Sequence, residues 1–163
     1  MIKTDTDKFK SDLAHAYSSF GHQEMLINKS CKFYEYVSYI QDNDYTEIKC
    51  QLHKNDVVMI QEEEYDKSYA IIKAIFKHKG NDGYYYPFIY IEWFEDTYQR
   101  HDKLDCPKFI LYQDDSWHQI FPLTVVNEIQ KAHFVHNCTL GCEDNHDLNN
   151  NYYLKNDFFF TAI

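Results

Sequence analysis

The stretch from Asp56 to Phe94 decides the fold, and it reads DVVMIQ (56–61), EEEYDKS (62–68), YAIIKAIFKH (69–78), KGNDG (79–83) and YYYPFIYIEWF (84–94). In the segment 69–78, apolar residues recur at every second position, the period of a half-buried strand. The segment 79–83 places two glycines around an Asn-Asp pair, and Gly and Asn tolerate the positive φ of tight turns. The stretch therefore predicts three consecutive strands, the last two joined by a turn.

The composition of the whole chain supports a mainly β fold. The chain has 163 residues, which favours one domain, and 18% of them are aromatic while only four are glycine. Aromatic side chains fit the pleated, half-buried surface of a sheet. We therefore expect a mainly β fold, a distorted β-barrel or sandwich of short strands with a few short helices. Residues 1–30 are predicted to form an N-terminal helical extension and residues 31–163 the β domain.

Outward from the central stretch, the pattern predicts one helix and several further strands. Residues 5–20 carry an apolar stripe at helical spacing and end at Gly21, so a helix is expected there. Alternating segments predict strands at 31–40, 47–53, 107–113 and 132–138, with a terminal strand after residue 151. The polar segment EDTYQRHDKLDCP, residues 95–107, is predicted to be a loop.

Charge and cysteine content limit the classes of function. The net charge of −10 makes direct nucleic-acid binding unexpected, because such proteins need a basic surface, and it suits a basic partner or simply solubility. Five cysteines, only two of them close together, are not typical of a secreted disulfide framework. The first 20 residues lack the apolar core of a signal peptide, and no apolar run is long enough to span a membrane. A soluble intracellular protein is expected.

The order of segments resembles the bromo-adjacent homology (BAH) domain of chromatin proteins. The resemblance rests on Asp56-Val57-Val58, the strand Tyr69 to Phe76, Ile91-Glu92-Trp93-Phe94, the strand Phe109 to Tyr112, and a late segment from His133 to Cys138. It covers roughly residues 31–163. The resemblance implies a binding module of the nucleus that contacts basic protein tails such as those of histones.

Some BAH domains hold a methylated lysine in a cage of aromatic rings, where cation–π attraction stabilises the ammonium. Carried over by position, the resemblance implies a peptide-binding site built from these residues: Tyr69, Trp93, Tyr98, Tyr112, Glu95 and Asp96. The two acidic residues would supply negative charge beside the cage. The competing interpretation is that Tyr69 and Trp93 simply fill the core, since a chain this rich in aromatic residues must form aromatic clusters.

A second pattern near the C-terminus could hold zinc. Cys138, Cys142 and His146 follow one another at spacings of four, and an upstream histidine, His136 or His133, could complete a tetrahedral structural site. His133 and His136 are three residues apart, so on a strand they point to opposite faces and only one could easily join. The alternative is a buried strand cysteine, a solvated loop cysteine and surface histidines.

No motif of a familiar enzyme class is present. The chain lacks G-x-S-x-G, a P-loop, G-x-G-x-x-G and H-E-x-x-H. Together with this absence, the BAH resemblance implies a non-enzymatic, chromatin-associated protein-interaction module, a histone-tail reader with an aromatic cage. The alternative is a BAH-like scaffold or regulatory protein that does not read peptides and that a structural zinc stabilises.

Overall fold

The structure is a computed structural model that describes residues 2–22, 27, 30–43, 46–60, 68–112, 117–123, 131–137 and 152–156. Strands make up 61% of these residues, so the predicted mainly β fold class is confirmed. The described strands form open antiparallel sheets rather than a closed barrel. The described part contains one α-helix, of 17 residues, where the sequence predicted a few short ones.

The elements follow one another along the chain in this order: α1 (Ile2–Ser18), β1 (Cys31–Tyr34), β2 (Tyr36–Asn43), β3 (Thr46–His53), β4 (Val57–Ile60), β5 (Ser68–Lys79), β6 (Tyr85–Arg100), β7 (Pro107–Leu111), β8 (Ile120–Pro122), β9 (Lys131–Ala132), β10 (Phe134–Asn137) and β11 (Tyr152–Lys155). The central stretch does form consecutive strands, β4, β5 and β6. The predicted turn between β5 and β6 is present, and Gly83 has a φ of 86°, which an L side chain rarely adopts.

The chain divides into two compact units. Unit 1 comprises Met1–Asp56, Ile72–Ile91 and Asp114–Glu128, and unit 2 comprises Val57–Ile71, Glu92–Gln113 and Ile129–Ile163. The long strands β5 and β6 each contribute one part to either unit. The predicted division at residue 30 stays a prediction, although α1 supplies buried residues to unit 1.

In unit 1, α1 packs on a core of aromatic and aliphatic side chains. Leu13, Ala16 and Tyr17 are buried on one face of the helix, where they join Phe76 of β5 and Phe88 of β6 in a single cluster. The helical stripe expected from the sequence is therefore the packing face of α1. No helix of the described residues is both long enough and apolar enough to cross a membrane.

The core of unit 1 contains a buried polar pair. The Tyr17 hydroxyl lies 2.6 Å from Nδ1 of His78, and His78 is fully buried. Each group satisfies the other, because an unpaired polar group at this depth would cost about 1–3 kcal/mol. Burial is the largest cause that raises the pKa of Tyr17 above its usual value, so its hydroxyl keeps its proton.

The strands of unit 1 form short antiparallel ladders. Strand β1 pairs with the second half of β5, β8 pairs with the first half of β6, and β2 pairs with β3 as a separate two-stranded sheet. The single strand predicted over residues 31–40 is interrupted at Glu35, where the chain leaves the β1–β5 ladder and enters the β2–β3 hairpin.

The strands of unit 2 belong to one sheet, in which β5 and β6 are neighbours, and on either side of these two lies a set of antiparallel strands. One set has the order β10, β11, β7 and the second half of β6. In the other set, β4 pairs with the first part of β5 on one side and with β9 on the other. These ladders fix which side chains share a face, and this decides where the predicted peptide-binding residues lie.

The prediction of a loop directly after Phe94 is wrong. Strand β6 continues to Arg100, because Glu95 and Asp96 pair with Ile110 and Phe109 of β7. The register then shifts between Asp96 and Arg100, an irregularity that the polar sequence accommodates. Only residues 101–106 form the turn, and there the His101 N–H donates to the Cys106 carbonyl.

Candidate peptide-binding site

One face of the four-stranded set in unit 2 is covered with aromatic rings. Residues directly opposite each other in an antiparallel ladder point to the same face, and successive residues on a strand point to opposite faces. We call this face the ring face and define it by Phe94, Phe109, Phe134 and Tyr153. The register supports this assignment, since Phe109 is opposite Tyr153 and the Phe94 and Phe134 ring centroids are 4.6 Å apart.

Tyr69, at the start of β5, packs against the ring face. Its ring centroid lies 5.7 Å from that of Phe109 and 5.4 Å from that of Phe134. A cation also lies against this cluster, since Nζ of Lys155 is 5.1 Å from the centroid of the Tyr69 ring. This distance is within the range of a cation–π interaction. Tyr69 is half-buried, whereas Phe94 and Phe109 are buried, at 6% and 7% exposed.

Asp96 places a carboxylate on the ring face. It is opposite Phe109 in the β6–β7 ladder and is exposed, so its charge lies at the border of the ring cluster. Its Oδ1 accepts a hydrogen bond of 2.8 Å from the backbone N–H of Tyr98. This bond stabilises the local turn of the β6 irregularity.

Trp93 lies on the opposite face of β6 from Phe94. It is only 6% exposed. Its backbone carbonyl accepts a hydrogen bond of 2.8 Å from the N–H of Tyr112, which places Tyr112 across from Trp93 and hence on the same face. Glu95, two residues along the strand, shares this face as well. Trp93, Tyr112 and Glu95 therefore form a second group, separate from the ring face.

Tyr98 belongs to neither group. It has a positive φ of 55° within the β6 irregularity, and 92% of its surface is exposed. A side chain so exposed cannot serve as the wall of a closed cage without a bound partner that covers it. The sequence pattern located Tyr98 near the site but could not show that the backbone turns at this residue.

The structure thus separates the predicted site residues instead of joining them in one cage. Tyr69 and Asp96 lie with the ring face, while Trp93, Tyr112 and Glu95 lie on the other side of the sheet. The physical reason is the two-residue period of a strand, which sends Glu95 and Asp96 to opposite faces although they are adjacent. Trp93 is nearly buried, in agreement with the core interpretation of this residue.

None of the four residues that define the ring face was among the predicted site residues, and neither was Lys155. Their contacts depend on the pairing of β11 with both β7 and β10. The alternation in Phe134-Val135-His136 and in Tyr153-Leu154-Lys155 could have shown which residues share a face within each strand. It could not have shown which strands are neighbours.

The predicted zinc ligands Cys138, Cys142 and His146 lie outside the described residues. His136 is described, and its ring is stacked on that of Tyr153 with centroids 4.6 Å apart. Nδ1 of His133 lies 3.1 Å from the side-chain nitrogen of Asn156. Within the described ranges, no group of three or more His, Cys, Asp or Glu side chains is placed to hold a metal ion. The zinc site stays a prediction.

Comparison with known proteins gave no match to this chain among family models, curated proteins or solved structures. The resemblance to the BAH domain therefore rests on the sequence pattern described above.

Proposed function

We propose that this chain is a protein-interaction module of chromatin that binds a basic peptide, such as a histone tail, on the ring face of unit 2. The observation that carries the proposal is the ammonium of Lys155 at 5.1 Å from the Tyr69 ring centroid. A ring that already accepts a cation from its own chain offers the contact that a lysine of a partner would make after displacing Lys155. The proposal agrees with the BAH resemblance and implies a nuclear protein.

The chemistry of the ring face suits a methylated lysine better than an unmodified one. A quaternary ammonium is less strongly hydrated than Lys155, so it loses less on moving against the rings, and it gains up to about 2 kcal/mol from a desolvated cation–π contact. Asp96 adds negative charge at the border. A methylated side chain should therefore displace Lys155, while an unmodified lysine competes with it on nearly equal terms.

The test is a titration of the protein with a histone-tail peptide in trimethylated and unmodified forms. We expect the Tyr69→Leu variant to lose the preference for the methylated form, which amounts to at most about 30-fold in the dissociation constant. The Lys155→Met variant removes the competing cation while keeping the length of the side chain. It should bind the peptide about two- to fivefold more tightly, the equivalent of one exposed cation–π contact.

The chain offers a matched control for Lys155. Lys108 also lies over a tyrosine, with Nζ 4.8 Å from the Tyr152 ring centroid, but it is opposite Leu154 and so on the other face of the same sheet. Lys108→Met should leave peptide affinity unchanged. The proposed peptide-reading function would be contradicted if the two methionine variants had equal effects. It would also be contradicted if the wild-type protein bound no tail peptide at low salt, and either result would favour the scaffold alternative.

A further inference from the structure

An exposed face of β1 and β5 in unit 1 concentrates positive charge in a strongly acidic chain. Lys32 of β1 is directly opposite Lys77 of β5, and Lys79 is two residues further along β5, so all three point to one side. Each is exposed. We call this surface the basic face and define it by Lys32, Lys77 and Lys79 together with Tyr34 and Tyr85.

Tyrosine rings support the lysines of the basic face. Nζ of Lys32 lies 4.8 Å from the Tyr85 centroid, and Nζ of Lys77 lies 5.6 Å from the Tyr34 centroid. Like charges directly opposite each other on a sheet are destabilising, and the rings offset part of that repulsion. An arrangement that holds ammonium groups side by side at the surface is suited to an anionic partner that bridges them.

The backbone of β1 offers a second means of binding. The Lys79 N–H donates to the Ser30 carbonyl at 3.0 Å, which makes Ser30 and Lys79 a hydrogen-bonded pair. Because hydrogen-bonded and non-bonded pairs alternate, Lys32 and Tyr34 also direct their backbone groups toward β5. Cys31 and Phe33 direct theirs to the outer edge. No strand in the described part of the chain pairs with that edge.

The other side of β1 presents an apolar side chain. Phe33 is 65% exposed, although its ring lies only 5.7 Å from the buried Phe76 ring. The open cleft of about 320 Å³ in this unit is lined instead by Tyr34 and Lys77 of the basic face, together with Tyr36 and Pro87 among others. An extended chain added along β1 would therefore meet lysines on one face and the apolar side chain of Phe33 on the other.

We propose that the outer edge of β1 binds an acidic peptide in an extended conformation, as an added strand. Carboxylates at alternate positions would contact Lys32 and the neighbouring lysines, and the apolar residues between them would pack beside Phe33. A polypeptide fits better than a nucleic acid, because the edge offers backbone donors and acceptors that only another strand completes. This surface lies in unit 1, so the proposal does not depend on the basic-peptide function of unit 2.

The test uses a short peptide that alternates Glu and Val, with a second peptide of the same composition in two blocks and a third that alternates Lys and Val. The wild-type protein should bind only the alternating acidic peptide well at low salt. The variant Lys32→Gln/Lys77→Gln should bind it about tenfold more weakly, the expected loss for two exposed charge contacts. The matched control Lys10→Gln/Lys103→Gln removes the same charge from exposed sites elsewhere and should have no effect.

A backbone variant tests strand addition directly. Phe33→Pro removes an N–H that the β1–β5 ladder does not use, so the fold should survive while peptide binding is lost. Phe33→Ala keeps the N–H and should bind more tightly than Phe33→Pro. The proposal would be overturned if the two variants bound the peptide equally, or if the protein preferred an oligothymidine to the acidic peptide. It would also be overturned if the protein self-associated and the same variants abolished that self-association. Circular dichroism of each variant verifies that the fold is retained.

Discussion

Adjacent residues of β6 have different roles because a strand alternates its faces. Phe94 packs into the ring face with Phe134 and Tyr153, whereas Trp93 is buried on the other side. A cage residue cannot be assigned from its position in a motif alone, because the next residue along the strand points to the opposite face. Both side chains are only 6% exposed, so at the residue scale the face of the strand, and not the degree of burial, distinguishes them.

Truncation of Trp93 should destabilise the protein strongly. Trp93 is 6% exposed, and removal of a buried aromatic side chain typically costs about 3–5 kcal/mol. The Trp93→Ala variant should therefore unfold at a much lower urea concentration than the wild type. The measurement is the free energy of unfolding from urea titration, followed by intrinsic tyrosine fluorescence and circular dichroism.

Tyr98→Ala serves as the control for Trp93→Ala. Tyr98 is 92% exposed, and such surface substitutions usually change the free energy of unfolding by less than about 0.5 kcal/mol. A Trp93→Ala variant that is as stable as the wild type, yet has lost discrimination between methylated and unmodified peptide, would contradict the buried placement and restore Trp93 to the cage.

At the scale of elements, strands β10 and β11 flank the segment that carries the predicted zinc ligands. The two strands pair over Phe134–Asn137 and Tyr152–Lys155, so the residues between them begin and end at neighbouring points of one ladder. His136 lies within β10, two positions before Cys138 in the chain. A zinc ion bound by the intervening segment would stabilise this strand pair, because metal binding contributes directly to folding.

The zinc hypothesis predicts about one zinc per chain in elemental analysis of the purified protein. Cys142→Ser should then lower the melting temperature, and a chelator should lower that of the wild type but not that of the variant. His136→Asn tests the fourth ligand, since it should lower the zinc content only if the ring leaves its stack on Tyr153 to bind metal. A metal-free protein whose melting temperature does not respond to chelator would exclude the site.

At the scale of the whole molecule, the net charge of −10 should govern the rate at which a basic tail approaches. Salt screens such attraction beyond about 8 Å at physiological ionic strength, but it hardly affects ring contacts. The association rate constant of a histone-tail peptide should therefore fall steeply as salt rises, while the dissociation rate constant changes little. Stopped-flow fluorescence at several salt concentrations measures both.

The acidic alternating peptide provides the contrast for this measurement. It carries the same sign of charge as the chain, so salt should raise its association rate by screening the overall repulsion, and should weaken the local contacts with Lys32 and Lys77. Identical salt dependence for the basic and the acidic peptide would show that the net charge does not direct association.

The sequence by itself determined the fold class and most of the elements. The two-residue period predicted β5, the Gly-Asn chemistry predicted the turn that follows it, and the helical stripe predicted α1. These features are local, because each depends on residues within one or two turns of the chain. The clearest failure, the loop expected at Glu95, occurred where pairing with β7 stabilises a polar segment as strand.

Only the tertiary structure decided which aromatic residues meet. Tyr69 contacts Phe109 and Phe134, which lie 40 and 65 residues further along the chain, as their numbers in the sequence show. The neighbours of a strand and its register are set by packing among distant segments, and a shift of one residue would exchange the two faces. The same reason separates Trp93 from Tyr69, and it explains why composition predicted an aromatic cluster without showing its members.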